Sequence, residues 1–303
     1  MEKETVELTE PSGVFAFTSI RDVVNQTLQN SIFESVIADT LSGISSGFKK
    51  LDHLTGGFHP AEFTVVGFRP SMGKTAFLLS LLYNIAVTGK KKSLVFSPER
   101  TSKKLVQRLI ESETGMSVEK IRQAKLKDSE KEHLHSLIGN IANAEILIDD
   151  SQNLSIEEVV ERCHSMAGKQ HIDIIMVDYL ESFLKHIVDE EERNFMLERV
   201  IKSLKKLAID LNVPVILFSK VDKTGTIAAG KLHLTLNDVP ASIKSKADSI
   251  ILVDRPYIDQ IKKDEDHKHG CADIIIAKHA FINEPTTVSV RFLDSIDKFV
   301  DFE

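Results

Sequence analysis

Phe68-Arg69-Pro70-Ser71-Met72-Gly73-Lys74-Thr75 constrains this chain more than any other stretch. An apolar run, Phe63-Thr64-Val65-Val66, precedes it, and Ala76-Phe77-Leu78-Leu79-Ser80-Leu81-Leu82 follows, so the order reads as a buried strand, a tight loop and a helix. That is the setting a phosphate-binding loop requires. Backbone N–H groups at a helix N-terminus converge there with the positive end of the helix dipole and favour an anion. Gly73 lets the backbone turn without a Cβ, Lys74 carries a mobile positive charge, and the Thr75 hydroxyl is a ligand suited to Mg²⁺. The glycine that usually opens such a loop is displaced: position 68 is Phe68 and Gly67 stands one residue early, so only the Gly-Lys-Thr half of the pattern is intact.

Composition bounds the rest. A length of 303 residues suits one large α/β domain with a short extension. The net charge of −7, with both signs interspersed, excludes a chain that grips polyanions over its whole surface and leaves only a local site. Cys163 and Cys271 lie far apart without CxxC or histidine-rich spacing, which argues against a disulfide scaffold or structural zinc and for a reducing, cytoplasmic setting. Met1-Glu2-Lys3-Glu4-Thr5-Val6-Glu7 lacks the apolar centre of a secretory signal. No run approaches the roughly 18 apolar residues of a membrane span, so no membrane association is expected.

Residues 1–14 read as a loose arm. Between residues 18 and 38, Ile20, Val23, Val24, Leu28, Ile32, Val36 and Ile37 recur at helical spacing. That amphipathic helix either packs on its own core or leaves the body and docks on a neighbour. The spacing therefore divides the chain into an arm and linker helix, residues 1–40, and a main body, residues 41–303. Within the body the pattern predicts strands at 63–67, 93–97, 145–149, 172–178, 213–219, 248–254, 272–278 and 286–293, and helices at 74–87, within 101–143, at 155–168 and at 190–211. Runs such as Ile174-Ile175-Met176-Val177 lack period-2 alternation, as strands covered on both faces do. The expected fold is α/β: a doubly wound, mainly parallel sheet with helices on both faces and a β-rich C-terminal flank.

Several polar groups fall at the carboxyl ends of predicted strands, the edge where open parallel sheets bind ligands. Asp178 ends one strand and suits either Mg²⁺ opposite Thr75 or a helix cap. Glu99 follows Leu94-Val95-Phe96-Ser97-Pro98 and suits either a general base or a helix N-terminal carboxylate. Ser219-Lys220 ends another strand, and a long connection to Ala247 follows. Between 220 and 246, five lysines (Lys220, Lys223, Lys231, Lys244 and Lys246) stand against two aspartates. Such a loop is either simply solvated or suited to a nucleic-acid phosphate backbone. It holds no aromatic residue for base stacking.

Together these stretches resemble the C-terminal ATPase domain of DnaB-type replicative DNA helicases, RecA-like motors that form hexameric rings. The resemblance covers roughly residues 15–303. It rests on the segment from Ser42 to Phe58, Arg69-Pro70-Ser71-Met72-Gly73-Lys74-Thr75-Ala76-Phe77, Phe96-Ser97-Pro98-Glu99, Ile148-Asp149-Asp150, Asp178-Tyr179-Leu180 and Leu211-Asn212-Val213-Pro214-Val215-Ile216. It implies an ATP and Mg²⁺ site in which Arg69 to Ala76, Asp178 and Lys220 hold the nucleotide, and Thr75 and Asp178 hold the metal. Glu99, Lys74 and Lys278 would be catalytic. It further implies single-stranded DNA on Lys223, Lys231, Lys244 and Lys246, a ring of identical subunits, and a primase, a helicase loader or a full-length helicase as partner.

Three departures qualify what the resemblance implies. Lys220 stands where the family has a glutamine sensor. Ala277-Lys278-His279-Ala280-Phe281-Ile282 replaces Ala-Lys-Gln-Arg-Asn-Gly, so the place of the arginine finger is Ala280. Asp238-Val239-Pro240-Ala241-Ser242 replaces Asp-Ile-Arg-Glu-Ser-Gly. Such a finger is worth on the order of 10³-fold or more in rate. The resemblance thus implies either a slow helicase motor or a catalytically impaired paralogue that binds nucleotide and regulates, loads or builds a helicase ring. A RecA-like recombination or circadian-type ATPase ranks below both, because Arg69-Pro70-Ser71 and Asp178-Tyr179-Leu180 match the helicases better.

Overall fold

The computed structural model of the protein describes residues 41–117, 121, 123, 126–221, 234–255 and 270–302. The arm and helix expected within residues 1–40 lie outside the described residues, as do Lys223 and Lys231. The fold set out below is that of the unit Gly43–Glu303.

The apolar runs became strands. β1 (Phe63–Phe68), β2 (Ser93–Phe96), β3 (Ile146–Asp149), β4 (Ile174–Asp178), β5 (Val215–Lys220) and β6 (Ser249–Asp254) pair in parallel, and β7 (Cys271–Lys278), β8 (Thr286–Leu293) and β9 (Lys298–Val300) continue the sheet antiparallel. The order is β3-β2-β4-β5-β1-β6-β7-β8-β9, so β1 and its loop sit near the middle. β1, β2, β4 and β6 are buried from end to end, which is why valine, isoleucine and phenylalanine run through them without alternation. The mainly parallel sheet with a β-rich flank is the architecture expected.

Helices α1 (Lys49–Thr55), α2 (Lys74–Leu82), α3 (Ser102–Thr114), α4 (Asp128–Ala142), α5 (Ile156–Ala167), α6 (Glu190–Leu211) and α7 (Ala241–Lys246) accompany the sheet. Alternate strand residues feed two apolar layers. Val65, Val177 and Leu217 pack with Val159 of α5 and with Val200, Ile201 and Leu204 of α6. Val66, Met176 and Ile216 pack with Phe77, Leu78 and Leu81 of α2. Phe68, which takes the place of the usual loop glycine, closes this second layer: its ring stands edge-on to Phe77 at 5.6 Å and stacks with Phe218 at 6.3 Å.

Four expectations need correction. The helix expected over 74–87 leaves α-geometry at Leu82 and continues as a π-helical turn, Tyr83–Thr88, closed by the Gly89 N–H donating to the Asn84 carbonyl at 2.8 Å. The Asn84 side chain also donates to the Ser46 carbonyl at 3.0 Å, a tertiary tie invisible to helical periodicity. Helix α1 was not among the helices expected; the buried Asp52 carboxylate within it accepts from the Ser46 N–H at 2.8 Å and the Ser45 hydroxyl at 2.6 Å. The connection from 220 to 246 is not wholly irregular. A 3₁₀ turn, Leu236–Asp238, and α7 occupy its second part, where the buried Leu234, Val239 and Ile243 join the α6 layer. β9 is only three residues long and was legible in no pattern, yet Phe299 within it is buried against Phe77 and Phe292. Cys163 and Cys271 are free thiols. Among the described residues no helix is long and apolar enough to cross a membrane.

Phe77 is the hub of the loop-bearing layer, stacked on Phe48 at 5.4 Å and edge-on to Phe68 and Phe299. Phe77→Ala is expected to cost about 3–5 kcal/mol of unfolding free energy through lost burial and the cavity left behind. Urea unfolding of the two proteins measures the difference, and a loss below about 1 kcal/mol would contradict this packing.

Candidate nucleotide-binding site

The loop from Arg69 to Gly73 leaves β1 and turns sharply into α2. Ser71 and Gly73 both adopt left-handed backbone, with φ of 65° and 94°. At Gly73 a Cβ would also meet the Phe299 ring at 3.0 Å, so glycine is required by conformation and by space. Met72 tucks inward and its N–H donates to the Arg69 carbonyl at 3.2 Å. Pro70 and Ser71 are exposed. The Arg69 guanidinium pairs with buried Asp254 at the end of β6, Nε to Oδ1 at 2.7 Å, and anchors the loop to the sheet. Helix α2 begins with no side-chain cap and no acidic residue in its first turn, which leaves its N-terminal dipole for a ligand.

Parallel register brings other strand ends to the same edge. Phe68 pairs with Lys220, Asp178 with Phe218, and Phe96 with Val177. A cleft of about 370 Å³ opens there, lined by the loop residues other than Met72, by Thr75 and Ala76, and by Glu99 and Lys220. The Lys74 ammonium donates to buried Asp178, lies 3.6 Å from a Glu99 oxygen and sits 3.7 Å above the centre of the Tyr179 ring. Lys220 lies over the same ring at 4.6 Å and donates to the Tyr179 hydroxyl at 3.2 Å.

Geometry removes the cap reading from both carboxylates. Glu99 does not cap α3: that cap is the Thr101 side chain, accepting from the Lys104 N–H, while the Asp150 carboxylate accepts from the Ser102 N–H. Asp178 caps nothing either, since the 3₁₀ turn after it, Leu180–Phe183, has no side-chain cap. Burial pushes the Asp178 carboxyl above its ordinary range, and the Lys74 charge and hydrogen bond pull it back. Its Oδ2 is buried with no hydrogen-bond partner. Among the described residues no group of three His, Cys, Asp or Glu could hold a metal by itself. The donor set is therefore one that fits Mg²⁺ shared with phosphate: the Thr75 hydroxyl, the orphaned Asp178 oxygen and ligand oxygens.

The cleft also holds groups that sequence reading did not single out. Arg100, Arg108 and Arg255 line it with Phe292 and Asp297. Arg255 follows β6 at the ligand edge, so the strand-end rule that found Asp178 would have found it. Its guanidinium lies 3.6 Å over the Phe292 ring and pairs with Asp294. Arg108 lies further along α3 and pairs with Asp297 at 2.6 Å, a contact with no local signal. Six cations thus line the cleft against Glu99 and Asp297, in a chain that is negative overall. Lys278 is not among them: its ammonium donates to the Lys244 and Ala247 carbonyls at 2.9 and 2.7 Å, closing the end of α7. Lys244 and Lys246 lie in the last turn of α7, and Ala280 is exposed.

Residues 43–301 match the family described as DnaB-like helicase C terminal domain. The chain is 30% identical over 305 residues to Replicative DNA helicase DnaB of Geobacillus stearothermophilus and 29% identical over 305 residues to Replicative DNA helicase DnaC of Bacillus subtilis. Each alignment takes in 100% of this chain and 66% of the relative, so the chain spans just under two thirds of their length. A solved structure of a DnaB-like replicative helicase and its interactions with primase shares a TM-score of 0.78 at 26% identity, over 96% of this chain and 69% of that one. A solved ATPase domain gives the same TM-score at 28% identity, over 92% of this chain and 99% of that one.

Beneath the cleft, burial pushes the Glu181 carboxyl above its ordinary value of 4.5, although it accepts from the Lys220 N–H at 2.7 Å and the Ser219 hydroxyl at 3.1 Å. The folded protein therefore holds this proton to higher pH than the unfolded chain does. The stability tied to it is fully present below pH 4.5 and is lost as pH rises through the raised folded value. Glu181→Gln, which has no such proton, should gain stability relative to the parent as pH climbs. Urea midpoints from about pH 4 to about pH 8 measure this, and a constant difference across that range would count against it.

Proposed function

Because the chain belongs to the DnaB-like helicase C-terminal domain family, we propose that it is an ATP-driven helicase motor subunit that translocates on single-stranded DNA. The observation that carries the proposal is the convergence of Lys74, Glu99 and Asp178 on one cleft at the start of an uncapped helix. The phosphates of ATP lie along the N–H groups of the Gly73-Lys74-Thr75 turn, and Lys74 exchanges part of its contact with Asp178 for phosphate oxygens. Thr75 and Asp178 would hold Mg²⁺, which would supply neutralisation of phosphate charge. Glu99, exposed and not used as a cap, orients the attacking water and receives its proton.

The water oxygen bonds to the γ-phosphorus as the bond from that phosphorus to the bridging oxygen breaks. The electron pair stays with ADP, phosphate is released, and the proton passes from Glu99 to solvent. DNA contact falls to Lys244 and Lys246 at the end of α7, with Lys223 and Lys231 earlier in the same connection. A ring of identical subunits, six by family resemblance, provides the geometry for translocation in the cytoplasm. A primase is the partner suggested by the relative whose solved structure describes its interactions with primase.

One observation favours a second reading, a nucleotide-binding paralogue that regulates, loads or builds a helicase ring with little turnover of its own. Ala280 offers no charge at the finger position, and the Lys278 ammonium is engaged by two carbonyls. Both readings require the loop. Lys74→Ala should lower ATP turnover on the order of 10²-fold or more, and ATP affinity with it. Unchanged titration and turnover would remove the phosphate-loop assignment. Ala280→Arg should raise DNA-stimulated ATP hydrolysis about tenfold or more if the motor lacks only its finger. Phosphate release on single-stranded DNA reads this out, and an unaltered rate favours the paralogue.

A further inference from the structure

The cations of the cleft differ in what neutralises them. Arg69 is paired with Asp254, Arg108 with Asp297, Arg255 with Asp294, and Lys74 with Asp178 and Glu99. Lys220 rests on the Tyr179 ring and bonds its hydroxyl. Arg100 has no such partner. Among the described residues no carboxylate lies within ion-pair distance of it, its side chain makes no hydrogen bond, and its Nε is buried and unpaired. Guanidinium carries five donors in a fixed fork, and a buried donor left without an acceptor is costly.

The place of Arg100 is set on both sides by short-range chemistry. Ser97-Pro98-Glu99-Arg100 is a turn closed by the Arg100 N–H, which donates to the Ser97 carbonyl at 3.3 Å, and Pro98 stands where a turn favours a fixed φ. Helix α3 starts directly after it, capped by Thr101. The backbone of Arg100 is thus clamped between the end of β2 and the first turn of α3, and its side chain lines the same cleft as Lys74 and Thr75. Burial raises the Asp178 carboxyl, and the charge of Arg100 acts with that of Lys74 to lower it, so the guanidinium stands near this carboxylate without pairing with it. An unpaired guanidinium on a rigid mount beside the loop is a receptor for an anion that is not part of the chain. Two oxygens of a phosphate match its fork.

Resting on the phosphate-loop reading above, we propose that Arg100 binds phosphate oxygens of the nucleotide held by the Gly73-Lys74-Thr75 turn, so that the phosphates lie between the loop and a guanidinium on the turn after β2. The ligand gives the unpaired donor its acceptor. Without an anion the same donor costs stability, so removing Arg100 weakens the ligand without weakening the fold.

The test measures binding of inorganic pyrophosphate, ADP and a non-hydrolysable ATP analogue by the full chain, for the parent, Arg100→Met, Arg100→Lys and Lys74→Ala. Single-stranded DNA without nucleotide is the second source of phosphate, and urea midpoints of the ligand-free proteins are the folding readout. Arg100→Met, apolar and of similar length, is expected to weaken pyrophosphate, ADP and the analogue about 10-fold or more, to leave DNA affinity unchanged, and to keep or raise the midpoint. Arg100→Lys, which keeps the charge but not the fork, should recover part of the loss. A falling midpoint would make Arg100 a structural residue and overturn the proposal. So would ADP weakened with pyrophosphate unchanged, or DNA weakened with the nucleotides unchanged. If Arg100→Met binds every ligand as the parent does while Lys74→Ala loses the nucleotides, the role of Arg100 is overturned and the phosphate loop stands. If Lys74→Ala binds the nucleotides as the parent does, the phosphate-loop reading itself fails and this proposal falls with it.

Discussion

The parallel register of β1 between β5 and β6 decides where every polar group of the cleft emerges. Phe68 is level with Lys220 on one side and Val253 on the other, so the loop after β1, the lysine that ends β5 and the Asp254-Arg255 pair that ends β6 arrive at one height. A one-residue slip would send Val65 and Val66 to each other's layers and turn every strand-end side chain to the wrong face. Two apolar layers hold the register, because each strand is covered on both faces and neither layer tolerates the exchange.

On that frame the electrostatics follow from burial. Asp178 is fully buried at the end of β4, and an unpaired carboxylate there would be costly, so Lys74 is drawn onto it. This pairing holds the loop lysine at the start of α2 and leaves one Asp178 oxygen without a partner. Tyr179, the next residue, presents its ring to both Lys74 and Lys220, and Glu181 holds the backbone of Lys220 from below. One strand end and the four residues from 178 to 181 thus set the positions of both ammonium groups.

The cleft mixes intact and altered parts. The Gly73-Lys74-Thr75 turn, Asp178 and Glu99 lie close together, whereas Lys278 at the end of β7 is engaged by two carbonyls and Ala280 just after it is exposed and uncharged.

Much of this was legible in the amino-acid sequence because the signals are local. Gly73-Lys74-Thr75 between two apolar runs, the first rich in β-branched residues and the second in leucine, specifies strand, loop and helix. The helix expected at 190–211 has those bounds in the structure, where the Asp189 side chain caps its start and Asn212 ends it in left-handed backbone. Glu99 and Asp178 were found by the strand-end rule, but whether they were caps or site residues was not, since both uses demand the same residue at the same place. Only the tertiary structure showed that neither is a cap, and it alone placed Lys220 on Tyr179, Arg108 on Asp297 and Phe299 behind Gly73. These contacts join residues far apart in the chain through strand register and layer packing, and hydrophobic period and residue type carry no record of which distant side chain lies opposite.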